Sequence, residues 1–109
     1  MATTTDFIEF VVDQIDGIFA TRYKKMFGEY MVWVNEKPIL LVCENIVFIK
    51  ILPELESQMA TAEKGHPYKG AKEHYILDIE DREHANEIIT ILERITPLPK
   101  PKKTKGNGK

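Results

Sequence analysis

The sequence predicts an α+β domain built on an antiparallel sheet. An apolar stripe at helical spacing opens the chain. A run of short β-favouring segments follows, joined by only two to four residues. A second helical stripe then closes at Pro97. Connections that short join antiparallel neighbours, whereas parallel strands need long crossovers. The order expected is helix, three strands, helix, one or two strands, helix.

The first helix is expected over residues 6–19. Thr5 or Asp6 can cap it, with Glu9 in capping-box position after Asp6. Phe7, Val11, Ile15 and Ile18 share one face, and Gly17 marks a weak point or an early end. The first strand is expected from Tyr23 to Val34, interrupted near Gly28, because glycine lets a strand bend or bulge. Gly28 is therefore expected at a bend or at positive φ, where Gly28→Ala would cost about 1 kcal/mol or more. Asn35-Glu36-Lys37-Pro38 reads as a turn. Ile39–Cys43 and Ile46–Ile51 read as the second and third strands, with Glu44-Asn45 between them.

These strands do not alternate cleanly, whereas a sheet with one wet face should. Either helices cover both faces or one face meets a partner. A homodimer or partner face is expected to include some of Met31, Trp33, Leu41 and Val47. Pro53 suits the first turn of a short helix over 53–62, with Leu55, Met59 and Ala62 on one side. Residues 63–70 are loop-like, Glu73–Ile79 is a further strand, and Asp81 starts a last helix that Pro97 stops. Residues 1–96 form the expected domain, and 97–109 a disordered tail rich in proline and lysine.

The net charge of −2 is unevenly spread: Lys100, Lys102, Lys103, Lys105 and Lys109 give residues 97–109 a charge of +5 with no acid. Residues 1–96 then hold ten cations against seventeen acids. A body this acidic binds polyanions poorly, because that affinity comes largely from neutralised phosphates. The lysine tail reads first as a disordered solubilising segment; it is also the candidate nucleic-acid contact and, after that, a contact for an acidic protein. Within the body, Arg22, Lys24 and Lys25 form the basic cluster, next to Met26, Phe27 and Gly28. It reads as a solvated strand entry, or as a contact for an anion or an acidic partner.

Catalytic, cofactor and metal sites are expected to be absent. Cys43 lies in an apolar run and reads as a buried thiol in a reducing cytosol. His66, His74 and His84 lack the spacing of zinc ligands. Ser57 has no nearby histidine, and no phosphate-cradling or dinucleotide loop appears. No apolar run approaches the roughly 18 residues of a membrane span, and the N-terminus lacks a signal-peptide pattern. The protein is expected in the cytoplasm.

Lys24-Lys25-Met26-Phe27-Gly28 runs through Glu29 into Tyr30. With an apolar strand ending in Lys50, Tyr68 in a Gly-His-Pro-Tyr loop, and Tyr75, it resembles the N-terminal domain of the TfoX/Sxy competence-regulator family. Glu29 and Met31 stand where that family has further glycines. The resemblance covers residues 7–96 and implies a secretion-chaperone-like fold in a bacterial protein. It also implies a regulatory accessory role in transcription or competence, exerted without catalysis through protein contacts. The family's full-length regulators add a helical second domain, where this chain has its lysine tail. The alternative reading is a weakly specific nucleic-acid-associating protein that uses the tail and the Arg22/Lys24/Lys25 patch.

Overall fold

The structure is a computed structural model that describes residues 3–26 and 29–99. Its elements are α1 (Thr5–Gln14), β1 (Thr21–Met26), β2 (Glu29–Val34), β3 (Lys37–Cys43), β4 (Ile46–Lys50), a 3₁₀ turn (Pro53–Leu55), β5 (Lys64–Gly65), β6 (His74–Leu77) and α2 (Arg82–Ile95). The strands form one sheet in the order β1-β2-β3-β4-β6-β5, and every pairing is antiparallel. The α+β class and the antiparallel sheet are as the sequence predicts. The elements differ from the expected ones in four places, the smallest being β5, two residues inside the segment expected as a loop.

The segment read as one interrupted strand is two. β1 and β2 pair from Thr21↔Val34 to Met26↔Glu29, a register that leaves two residues between them. β1 lies at the sheet edge. Phe27 and Gly28, and with them the expectation for Gly28, lie outside the described residues.

The expected helix 53–62 is a 3₁₀ turn followed by further turns. Its hydrogen bonds mostly span three residues, as in Leu55 N–H to Leu52 O and Ala62 N–H to Met59 O. Buried Leu55 and Met59 anchor it, so the stripe seen in the sequence belongs to turns rather than to a helix.

α1 is shorter than expected and capped one residue earlier, by Thr4, whose hydroxyl accepts from Phe7 N–H. Its C-terminal end is fixed from α2. The Asn86 amide donates to Gln14 O at 2.8 Å and its oxygen accepts from Asp16 N–H at 2.6 Å. The first of these meets a carbonyl that a helix end leaves orphaned.

The hairpins β2–β3 and β3–β4 turn on Asn35-Glu36 and Glu44-Asn45, all four at positive φ between 51° and 67°. Paired positive φ is the primed-turn geometry that matches strand twist. In β3 the register slips between Val32 and Trp33, which pair with Leu40 and Pro38 and leave Ile39 as the extra residue. This bulge explains one break in the alternation: Ile39 and Leu40 both enter the core.

Both helices pack on one face of the sheet. Ile8 and Val11 of α1 and Ala85, Ile88, Ile89 and Leu92 of α2 join Val32, Leu40, Val42, Val47, Ile49, Tyr75 and Leu77 in a single core. Asp81 caps α2 through its side chain. At the other end, Lys37 Nζ donates to Glu93 O at 2.6 Å and pairs with Glu93 Oε2 at 3.3 Å. A cation on the last carbonyls complements the helix dipole. Val47 is 1% exposed within this core, so it does not belong to the outer face on which it was expected. No helix among the described residues is long and apolar enough to cross a membrane.

Candidate functional site

Cross-strand partners in an antiparallel sheet share a face, and successive residues alternate between faces. The register therefore draws one row across the face opposite the helices: Lys24, Met31, Leu41, Phe48 and Ile76. Trp33 and Pro38 pair beside it. None of these residues belongs to the helix-packed core. Phe48, at the β4–β6 end, is buried and meets the His74 ring edge-on, with centroids 6.4 Å apart. At the β1–β3 end, Met31, Trp33 and Leu41 are half-buried and Met26 is exposed. A recess of about 170 Å³ includes Met31, Leu41, Phe48, Lys50 and His74 in its lining. Here three of the four residues expected on an open face do come together.

The same register divides the basic cluster. Arg22, Lys24 and Met26 fall on the outer face, and Lys25, opposite Tyr30, falls on the other. Arg22 is already engaged: its guanidinium lies 4.4 Å from the centre of the Trp33 ring and pairs with Glu36 at 3.2 Å. An exposed ion pair of this kind contributes at most about 1 kcal/mol, and the cation–π contact adds a similar amount. Lys24 and Lys25 are exposed. The tail residues Lys100, Lys102, Lys103 and Lys105, like Phe27 and Gly28, lie outside the described residues.

Glu29 is a tether. Its Oε1 accepts from the Thr3 hydroxyl at 2.7 Å and from Glu44 N–H at 3.0 Å. Thr3 in turn accepts from Asn45 N–H, and Thr4 N–H donates to the Asn45 side chain. One carboxylate so joins the start of the chain to the β3–β4 turn. No local sequence pattern signals this, because the partners are 26 and 15 residues away.

Cys43 is buried, and its thiol is pushed up to about 11 by desolvation, then by the nearby Glu29 and Glu44 carboxylates. At neutral pH it is a protonated thiol, and the thiolate is the nucleophile. The histidines are held separately: Nδ1 of His66 donates to Ala71 O and Nδ1 of His74 to Lys72 O. His84 lies 3.9 Å from Glu87. Among the described residues, no three His, Cys, Asp or Glu side chains converge to hold a metal.

A cleft of about 680 Å³ runs past Phe7, Met59, Asp78, Asp81 and His84. Its acids serve the local backbone: Asp78 accepts from Glu80 N–H and Asp81 from His84 N–H.

Fold and surface together define a small α+β protein whose six-stranded antiparallel sheet is covered by helices on one face and open over three strands of the other. The chain is 34% identical over 107 residues to a Spirochaeta aurantia protein described as an uncharacterized 12.7 kDa protein in the trpE 5′ region. The match spans 96% of this chain and 93% of the relative, and the chain belongs to the same family as that spirochaete protein. No family model matches the chain, and no solved structure matches it.

Proposed function

We propose that the protein is a small, cytoplasmic, non-enzymatic module that acts through protein contacts, in regulation of the transcription or competence type that the TfoX/Sxy resemblance implies. The open part of the outer sheet face carries this reading. Met26, Met31, Trp33 and Leu41 form an apolar surface that no helix among the described residues covers, and cations border it. A mixed surface of this kind, with aromatic, methionine and arginine side chains together, has the composition enriched in protein interfaces. A chemically inert Cys43 is consistent with a role without covalent catalysis.

The alternative, weak association with nucleic acid, rests on the five tail lysines against an acidic body. Base stacking on Trp33 has little support, since Arg22 already lies over that ring. Capture from native lysate, with and without nuclease, separates the two readings. A protein retained after nuclease treatment supports the module. Capture that nuclease abolishes, and that deleting residues 98–109 also abolishes, supports the alternative.

A further inference from the structure

The free edge of the sheet goes further than the open face. β1 is a six-residue edge strand whose residues after Thr21 are all exposed, while the opposite edge, β5, has only two residues. Asn35 N–H donates to Ala20 O at 2.7 Å, which fixes the alternation of the β1–β2 ladder. Residues 20, 22, 24 and 26 turn their backbone groups toward β2. Residues 21, 23 and 25 turn theirs outward, away from the sheet. An edge of outward N–H and C=O groups is a template for another strand.

The side chains select which strand. Lys24 lies on the outer face and Lys25 on the opposite one, and neither forms an ion pair with another described residue. A second copy is a poor occupant. Antiparallel pairing centred on Tyr23 sets Arg22 against the partner's Lys24 and Lys24 against the partner's Arg22. Centring on Lys24 sets lysine against lysine, and like charges directly opposite destabilise a sheet. An extended segment with two adjacent acids meets both lysines at once, one on each face. Apolar residues beside those acids would lie against Tyr23 and Met26, both about two-fifths exposed.

We infer that β1 is a docking edge that takes an extended acidic segment of a partner protein as a seventh strand. This rests on the protein-contact reading and names the partner's chemistry. Backbone bonds along the edge give the affinity, and the paired acids give the choice of partner. The basic run thus has two effects, blocking self-pairing and admitting a counter-charged strand.

The test uses the full chain and a synthetic peptide alternating valine and glutamate around a central Glu-Glu pair. A counterpart with lysine in place of every glutamate is the control. Amide hydrogen exchange is followed at Thr21, Tyr23 and Lys25. At saturating acidic peptide, exchange at these three amides should slow at least about tenfold, because protection follows the bound fraction. The lysine peptide should leave them unchanged.

Tyr23→Pro removes one outward N–H without touching the β1–β2 ladder, since proline is tolerated at an exposed strand edge. It should lose the protection at residues 21 and 25 that Tyr23→Ala retains. Lys24→Glu with Lys25→Glu should weaken the acidic peptide about tenfold or more. Unchanged exchange at saturation, equal binding of both peptides, or equal binding by Tyr23→Pro and Tyr23→Ala overturns strand addition. If Lys24→Glu/Lys25→Glu still captures the nuclease-resistant protein from lysate, strand addition fails while the protein-contact reading stands. Capture of nucleic acid alone removes that reading instead.

Discussion

The two faces of the sheet are made from adjacent residues of the same strands, yet one is closed by helices and the other is left part-exposed. In β3, Leu40 is fully buried under the helices while its neighbour Leu41 stays half-exposed on the outer row. The inner face is closed by Ile8, Val11, Ile88 and Ile89. Over β1 to β3 the outer face is left to cations and to long, adaptable side chains. Identical side chains are thus buried on one side and left part-exposed on the other, and the pleat alone decides which.

The largest effect expected follows from this contrast. Leu40→Ala should cost about 2–5 kcal/mol, the range for emptying a close-packed site. Leu41→Ala should cost less than about half of that, because its side chain keeps much of its contact with water in the folded state. Denaturant unfolding of both variants measures the difference; equal losses would mean that the outer face is as closed as the inner one.

The next effect concerns what holds the inner face together. Asn86 bonds to Gln14 O, Arg82 O and Asp16 N–H. Asn86→Ala should cost about 1–3 kcal/mol by leaving those groups without their partner. Hydrogen exchange should speed up first at Asp16. An unchanged rate there would show that the contact does not fix the α1 end.

The smallest effect at neutral pH belongs to Cys43. Its folded-state value, pushed up to about 11, lies above that of an unfolded thiol, ordinarily near 8.5. Between these values the unfolded chain loses its proton first and binds fewer protons than the native state, so stability falls as pH rises. The stabilisation is complete below about pH 8 and lost towards pH 11. Urea midpoints measured across this range should decline more steeply in the parent chain than in Cys43→Ala. Parallel slopes would place the alkaline sensitivity elsewhere.

Elements fixed by local chemistry were legible in the sequence. Asp81, an apolar stripe and Pro97 place α2 to within a residue at each end, since cap, face and stop all lie within the segment itself. The β3–β4 hairpin is equally local. Long-range effects were not legible. α1 ends where Asn86, 72 residues away, meets Gln14 O. Phe27-Gly28 carries no Asn-Gly hairpin signature, so the sequence suggests one interrupted strand where β1 and β2 are separate, paired strands. At the surface, Met31, Trp33 and Leu41 were grouped correctly, but Val47 was assigned to the wrong face. The β3–β4 register pairs Val47 with core Val42 rather than with Leu41. Adjacency likewise joined Lys25 to Arg22 and Lys24, although alternation separates them.

The strand order also sets a timetable for synthesis. β1 to β4 follow one another both in the chain and in the sheet, so this meander can pair once residue 50 has left the ribosome. The part of its inner side that α1 leaves open then waits for residues 82–95, and Lys37 Nζ has no Glu93 carbonyl to meet until the last turn of α2 arrives. Chains halted near residue 80 should bind a hydrophobic dye strongly and lose that binding on completion. A halted chain that binds no dye would mean that the sheet forms only after release. Otherwise the nascent protein exposes its greasy side for the whole interval between the fourth strand and the final helix, the period when a trigger-type chaperone has most to hold.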